Sequence, residues 1–295
     1  MSRGVEVRRQ LDSAETLGIV VSTMKTLALV RIGQYRRSVQ ALDASTVTLD
    51  LALQVVVTLY PELLDASAAP RGSSLAAVVF GSDRGLCGPF NERLAQRAAE
   101  ALEGLDAADR RVLAVGRRLE SRLRARGLDI DHKVRPPGAL DTVDLAVMEV
   151  LTQVDAWRSA GHADRLLLVH AQPTSAATYQ ARVVQVLPLD TARLRELQAR
   201  PWPSRRLPMA LSDAQTLVQT VIRQRIASAL VRAFAASQAS ENAARLAAMD
   251  AAERNLDERI ATLRTAYNQA RQNAITEELL DIQAAYAAAG GAVRR

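Results

Sequence analysis

Apolar residues recur in steps of three and four along the first 60 residues, the spacing of one face of an α-helix. No proline occurs between residues 4 and 60, and only three glycines interrupt good helix formers. Pro61 follows directly. The pattern predicts one long helix over residues 1–60 with an apolar seam for a partner helix. The seam positions are Leu17, Val21, Met24, Ala28, Tyr35, Val39, Leu42, Thr46, Leu49, Leu53, Val56 and Tyr60.

The C-terminal part of the chain, residues 212–295, repeats this pattern. Ser212 is suited to cap a helix, and neither proline nor glycine occurs from there to Ala289. A helix of roughly 75 residues measures about 115 Å, which is unusual within a globular domain. Its seam, with Glu253 as the one charged position, is formed by Leu246, Met249, Leu256, Ile260, Leu263, Tyr267, Ala270 and Ala274.

Between the two helices the pattern changes from helical to mixed. Residues 61–74 are rich in Pro, Ser and Ala and are typical of a linker. Short β-type runs then alternate with helical stretches, which predicts a largely parallel sheet covered by helices within residues 75–211. Three prolines in residues 190–211 predict an irregular return strap. The β-type runs are 75–82, 111–116, 128–134, 166–171 and 180–189, and the helical stretches are 90–105, 117–126 and 143–160.

The fold class is therefore α/β with long helices: an antiparallel two-helix coiled coil of the terminal helices and a central Rossmann-like α/β domain. If both helices end level at that domain, Met24 faces the region of residue 248 and Arg8 faces that of residue 264. About 25 residues, from roughly Thr265 to Ala289, then extend beyond the first helix as a single helix of some 38 Å. An isolated helix is marginal in water, so we expect this tail to work inside another protein.

Composition and charge restrict the function less than the pattern does. The net charge of +6 suits an acidic partner, but the chain lacks the basic clusters interleaved with aromatic residues that are typical of nucleic-acid binding. A single cysteine excludes an intramolecular disulfide and fits a reducing compartment. No stretch approaches the ~18 consecutive apolar residues of a membrane span, so we expect any membrane link to run through a partner.

One loop carries a candidate for chemistry. Gly85 and Gly88 follow a predicted strand and precede a helix, a place where phosphate can bind, but the spacing matches neither G-x-G-x-x-G nor the P-loop. Cys87 would need a histidine partner to act as a nucleophile, and the three histidines show no informative spacing to it. A structural turn and a packed cysteine are the better interpretations. We predict no catalytic, cofactor-binding or metal-ligating residues.

Two motifs resemble those of one family, the γ subunits of rotary F-type ATP synthases. GSDRGLCGPFNERL at residues 81–94 is similar to the family's GLCG-N segment, with Gly85, Cys87 and Gly88 in its turn. The C-terminal signature of the family is similar to ASENAARLAAMDAAERN and AYNQARQNAITEEL, at residues 239–255 and 266–279. The resemblance covers essentially the whole chain.

The resemblance implies a non-catalytic central-stalk rotor subunit, one copy per complex. Its implied partners are the hexamer of alpha and beta subunits, the epsilon subunit and the c-ring of Fo, at the cytoplasmic face of the bacterial inner membrane. Ion flow through the ring would be coupled to ATP synthesis or hydrolysis in the hexamer. By motif, the residues implied in rotor–stator contact are Met24, Glu241, Arg245, Gln272, Thr276 and Glu278.

This sequence also departs from the family pattern. Where the N-terminal helix of the family reads close to KITKAM, residues 19–24 read IVVSTM, so two expected lysines are absent. Pro89 replaces a second glycine and Gln269 stands where lysine is common, which suggests a divergent branch such as the alternate sodium-linked ATPases.

Three points stay open from the residues alone. The basic stretches on the two helices, which include Arg31 and Arg36 on the first and Arg223 and Arg232 on the second, are either solvated faces or electrostatic bearings on acidic stator loops. The chain is alternatively a nucleotide-binding α/β domain with coiled-coil oligomerisation arms. A third hypothesis is a tether whose basic coiled coil binds nucleic acid or membranes.

Overall fold

The computed structural model describes residues 3–61, 74–103, 105, 109–138, 142–174, 178–205, 208 and 213–292, with side chains except at 3, 36, 39–45 and 286–292. The helices of this part are α1 (Arg3–Leu59), α2 (Phe90–Glu103), α3 (Arg117–Arg124), α4 (Val143–Ser159), α5 (Thr191–Ala199) and α6 (Ala214–Ala292). The strands are β1 (Ser74–Phe80), β2 (Asp109–Val115), β3 (His132–Val134), β4 (Arg165–Pro173) and β5 (Tyr179–Leu187). The predicted linker, apart from its ends, lies outside the described residues.

The described strands form one sheet in the order β3-β2-β1-β4-β5. Pairing is parallel between β1 and β2, β1 and β4, and β2 and β3, whereas β5 runs antiparallel to β4. This is the strand order of the doubly wound dinucleotide-binding fold, and it confirms the prediction of a largely parallel, Rossmann-like sheet. Central strand β1 is buried along its whole length, which explains why it reads as a continuous apolar run.

Both faces of the sheet are covered by helices. On one face, α2 and α3 contribute buried leucines such as Leu94 and Leu119 to a core with Leu75 and Val79 of β1. On the other face, α4 packs together with Ile226, Leu230, Ala233 and Phe234 of α6. The long C-terminal helix is therefore part of the core of the sheet domain.

The prediction of an irregular strap over residues 190–211 is wrong for its first half. Residues 191–199 form α5, because Asp190 caps the helix by accepting a hydrogen bond from the Ala192 amide at 2.9 Å and the first proline comes only at Pro201. Leu194 and Leu197 bury the inner face of α5 against a cluster that includes Leu53 of α1.

The chain divides into two compact units whose boundaries fall inside α1 and α6, unlike the four predicted segments. One unit comprises Ala28–Ala247 and contains the sheet. The other comprises Met1–Leu27 with Ala248–Arg295, and in it the described helices run antiparallel. There Lys25 Nζ lies 2.6 Å from Asp250 Oδ1 and 2.9 Å from Glu253 Oε2. Glu253, the one charged residue of the predicted seam, is thus neutralised across the seam.

The predicted antiparallel pairing is confirmed, but its register is not. Glu15 Oε1 lies 2.8 Å from Arg264 Nη2, whereas the level-ended arrangement predicted Arg8 opposite residue 264. Lys25 likewise meets Asp250 rather than residue 247. These ion pairs place the register about one to two turns away from the level-ended arrangement.

The C-terminal part of α6 has no cover within its own chain over the described side chains. All residues from 271 to 285 are exposed, including the large apolar residues Ile275, Leu279, Leu280 and Ile282 at 45–66%. The uncovered tail begins at about Arg271, slightly later than predicted, because Tyr267 and Ala270 remain half-buried.

One helical segment of the described residues, Gly4–Tyr35 of α1, is long and apolar enough to cross a membrane by length and composition alone, with a mean hydropathy of 1.4. The sequence prediction of no such stretch counted only unbroken apolar runs and so did not detect it. Within the apolar 18-residue window of this segment, only 11% of the residues are buried. Its apolar character therefore reflects side chains that face outward from α1.

Candidate functional site

The loop from Gly81 to Pro89 follows β1 and is held by two side chains. Asn91, in the first turn of α2, accepts a hydrogen bond from the Ser82 amide at 2.9 Å and donates one to Ser82 Oγ at 2.8 Å. Ser82 Oγ also donates to the Arg84 carbonyl at 2.8 Å. The asparagine of the GLCG-N motif is therefore the residue that closes the loop on the helix.

Two glycines let backbones approach closely beside this loop. A Cβ at Gly81 would lie 2.5 Å from Leu119 Cβ, and one at Gly116 would lie 2.6 Å from the Ser82 carbonyl oxygen. Gly116 also has φ of +100°, a conformation that favours glycine. The close approach allows the Arg118 amide at the start of α3 to donate to Ser82 O at 3.0 Å.

Cys87 is buried at the base of the loop. Its sulfur lies 3.6 Å from Ser82 Oγ and 3.8 Å from Asn91 Nδ2. Burial raises the pKa of the thiol, which disfavours the thiolate that a nucleophile or metal ligand requires. This geometry agrees with a packed structural cysteine. Among the described residues, no group of three His, Cys, Asp or Glu side chains could hold a metal ion.

A buried ion pair on α6 lies against the same loop. Arg245 Nη2 is 2.6 Å from Glu241 Oε1 and donates to the Gly85 carbonyl at 3.4 Å, while Nη1 donates to Asn242 Oδ1 at 3.3 Å. Glu241 and Arg245 are only 6% and 8% exposed. Burial raises the pKa of the Glu241 carboxyl, although the positive charge of Arg245 opposes that shift. With so little of either side chain exposed, only a small part of each could contact another protein.

The carboxyl end of β1, where doubly wound folds commonly bind nucleotides, is occupied by this chain's own residues. Ser237 Oγ of α6 donates to the Phe80 carbonyl at 3.1 Å, and Ala244 packs in the core that contains Cys87 and Phe90. In this chain, the position where a pyrophosphate would bind is therefore occupied by α6 and by a loop whose polar groups are hydrogen-bonded within the chain. This argues against the nucleotide-binding alternative.

The other family-implied contact residues lie in the smaller unit. Met24 is half-buried on α1, and Gln272, Thr276 and Glu278 are exposed on the tail. The Thr276 hydroxyl donates to the Gln272 carbonyl at 2.9 Å, so it needs no external partner. These positions are accessible, and their role in contact stays a prediction.

The basic stretch at the start of α6 is largely engaged within its unit. Arg223 lies 2.9 Å from Asp155 of α4, and Arg225 lies 3.2 Å from Asp50 of α1. Arg232 donates to Thr46 Oγ1 at 3.1 Å. The arginines therefore help to attach α6 to its neighbours, which favours a structural role over an electrostatic bearing for this stretch.

Sequence reasoning missed the exposed tip of the loop. Leu86 is 58% exposed and has φ of +63°, a strained value for a branched side chain, and the exposed Arg84 lies beside it. A leucine between two glycines in a turn could have marked this tip. It also missed the apolar outward face of α1, because Leu17 was assigned to the seam but is 55% exposed.

Fold and site together define a class: an α/β domain inserted between two long helices, with its nucleotide-binding position filled by one of them. The ATP synthase family model matches residues 4–289. The chain therefore belongs to the ATP synthase gamma chain family. It is 29% identical to the ATP synthase gamma chain of Phenylobacterium zucineum, over 94% of this chain and 96% of that one. It is 33% identical to the gamma chain of Anaeromyxobacter sp. Fw109-5, over 72% and 73%.

Solved structures agree on the fold. The chain is similar to a chain of the Euglena gracilis mitochondrial ATP synthase OSCP/F1/c-ring structure, with a TM-score of 0.63 and 18% identity, covering 99% of this chain and 96% of that one. It is also similar to a chain of the rotor structure from the same organism, with a TM-score of 0.60 and 18% identity, covering 92% and 98%.

Proposed function

We propose that the chain is the central-stalk rotor subunit of a rotary F-type ATP synthase or ATPase, coupling ion flow through a membrane ring to ATP synthesis or hydrolysis in a catalytic hexamer. The observation that carries the proposal is the tail of α6. Fifteen consecutive exposed residues, 271–285, expose four large apolar side chains. Apolar side chains exposed to water do not stabilise a helix on its own. They become stabilising when other subunits enclose the helix and bury them.

In this proposal the chain performs no bond chemistry. It presents a different side to each of three catalytic sites. The different contacts favour a state of different nucleotide affinity at each site, which is a population shift. The filled switch point and the burial of Cys87, which raises the pKa of its thiol, support the absence of a catalytic role. The partners are the alpha and beta subunits, the epsilon subunit and the c-ring, with one copy of this chain per complex at the cytoplasmic face of the bacterial inner membrane.

The proposed rotor–stator contacts fall into two groups. Met24, Gln272, Thr276 and Glu278 meet the hexamer directly, as their accessibility allows. Glu241 and Arg245, being buried and paired, act by holding the Gly81–Pro89 loop from behind, and the loop tip around Leu86 makes the contact.

Co-purification tests the proposal. Tagged full-length chain, co-expressed with the alpha and beta subunits from the same source, is expected to yield a stable complex that hydrolyses ATP. Recovery of the chain alone, with the hexamer in the unbound fraction, would show that the proposed function is wrong.

A further inference from the structure

The unit of residues 28–247 contains a cavity of about 200 Å³ between α1, β5, α5 and α6, here called the α5 cavity. Three apolar side chains that line it are almost fully buried, with exposures of 3% for Leu53, 1% for Leu194 and 7% for Val186. Leu53 and Leu194 belong to the cluster that α5 forms with α1, whereas Val186 belongs to the core of the sheet. The α5 cavity therefore lies where two apolar cores adjoin without filling the space between them.

The volume of the α5 cavity exceeds what packing normally leaves. Protein interiors are close-packed, and few voids in them are larger than a water molecule. Side chains beside an open space lose dispersion contacts, so a cavity of this size lowers stability unless something fills it. A cavity of about 150 Å³ in another protein binds benzene, so the α5 cavity has room for an apolar body of about six carbon atoms. A drug-sized ligand needs more space, at least about 300 Å³.

Three arginines line the α5 cavity: Arg193 of α5, and Arg225 and Arg232 of α6. The one carboxylate among its described lining residues, Asp190, accepts the capping hydrogen bond from the Ala192 amide. Positive groups therefore outnumber negative ones in the lining. This favours an anionic ligand over a cationic one.

Asp50 of α1 holds two of these arginines in place. Its Oδ2 lies 2.7 Å from Arg193 Nη2, and its Oδ1 lies 3.2 Å from Arg225 Nη1. Arg193 has a second carboxylate partner, since its Nη1 lies 2.8 Å from Glu196 Oε2. Arg225 has only its share of Asp50, and within the described part of the chain its Nε and Nη2 make no hydrogen bond. This guanidinium therefore has donor groups to offer a ligand.

The second arginine of α6 is also fixed beside the cavity. Arg232 Nη2 donates to Thr46 Oγ1 at 3.1 Å, and both residues line the α5 cavity. The cavity thus combines a mainly apolar lining with a few positioned polar groups, which is the usual composition of a small-molecule site. The forked donors of a guanidinium match the two oxygens of a carboxylate.

We propose that the α5 cavity binds a small monocarboxylate, whose apolar body of about six carbon atoms packs against Leu53, Leu194 and Val186 while its carboxylate accepts hydrogen bonds from Arg225. The class of ligand follows from the volume, the apolar lining and the donors of Arg225. The inference goes beyond the proposed function and does not depend on it, because every residue that it uses lies within one unit of this chain.

The test compares three probes that share an apolar body and differ in charge: benzoate, benzyl alcohol and benzylammonium. Each is titrated into the purified full-length chain, and its affinity is measured by saturation-transfer difference NMR. We expect benzoate to bind at least about tenfold more tightly than either of the others, because only benzoate accepts charge-assisted hydrogen bonds from a guanidinium.

Two variants locate the bound probe. Arg225→Met removes the donors and should weaken benzoate by at least about tenfold while leaving benzyl alcohol within about twofold. Ala229→Leu places extra volume in the α5 cavity and should weaken all three probes. The matched control Arg223→Met removes an arginine of the same helix that pairs with Asp155 and does not line the cavity, so it should leave all affinities unchanged. Urea unfolding shows whether each variant is folded, and the comparison of probes on the wild type needs no variant.

Three results would overturn the inference. One is the absence of benzoate binding at millimolar concentration. Another is equal affinity for the three probes, which would indicate an apolar space without recognition of an anion. The third is benzoate binding that folded Arg225→Met and Ala229→Leu chains retain unchanged, which would place the probe elsewhere on the chain. None of these results concerns assembly with the alpha and beta subunits, which co-purification tests separately.

Discussion

Two segments of α6, residues 233–245 and 271–285, are both rich in alanine and other helix formers, yet every residue of the first is buried and every residue of the second is exposed. The buried segment carries a glutamate and an arginine, whereas the exposed segment carries two isoleucines and two leucines beside four charged residues. Polarity alone therefore does not decide burial here. Small side chains and satisfied hydrogen bonds let the first segment pack on the sheet domain. The second segment is not covered by any described part of the chain.

The buried ion pair should give the largest effect. Arg245→Met is expected to lower the free energy of unfolding of the sheet-containing unit by about 3–5 kcal/mol, because it leaves Glu241 buried without its partner. The matched control Arg254→Met, exposed on the same helix, should change stability by less than about 0.5 kcal/mol. Urea unfolding followed by tryptophan fluorescence, to which Trp157 in the sheet core contributes, measures both.

A double variant sharpens this result. In Glu241→Gln/Arg245→Met neither charge remains, so the loss should be much smaller than the sum of the two single losses. Strict additivity of the single variants would show that the two side chains do not act as a pair.

Packing at the buried segment should give the next largest effect. Ala236 is 3% exposed, so Ala236→Leu forces extra volume against the core and should destabilise the unit by about 1–3 kcal/mol. Ala274→Leu makes the same change on the exposed segment and should leave the unfolding midpoint nearly unchanged. Equal responses at the two alanines would mean that the burial contrast does not hold in solution.

The pH dependence of the Arg245→Met effect should be smaller but distinctive. Burial raises the folded-state pKa of Glu241, so its contribution is fully present below the unfolded pKa and is lost as pH rises through the folded pKa. Removing Arg245 raises that pKa further. The stability gap between wild type and Arg245→Met should therefore be wider at pH 8 than at pH 5, in unfolding curves recorded at both values. A gap that narrows with rising pH would contradict the assignment.

Local sequence signals predicted the helices and strands of this fold well where proline and glycine marked the ends of the elements. Pro61 and the absence of proline and glycine between Ser212 and Ala289 indicated both long helices, and the apolar run of β1 indicated a central strand. Helix α5 was missed because the prolines from Pro201 onward were taken to indicate irregular structure over all of residues 190–211, although none of them lies in residues 191–199. Its N-cap, Asp190, was the available signal.

The site was less predictable because it depends on distant contacts. Burial of Glu241 and Arg245 requires the loop at Gly85, some 160 positions earlier in the chain, and no local pattern reports that approach. Leu17 was placed on the seam because α1 carries apolar residues on two faces. Three-four spacing alone cannot tell which face meets the partner helix. The exposed tail, by contrast, was predictable, since the second helix is so much longer than the first that a register wrong by one to two turns still leaves its end uncovered.

The measurement that tests the central claim most directly removes the exposed segment. A chain ending at Ala270 should unfold in urea like the full-length chain, because residues 271–285 bury nothing within it. Assembled with its alpha and beta subunits and its membrane ring, the same truncation should lower ion-coupled ATP synthesis and the stability of the complex. Full coupling and assembly without the tail would contradict the account.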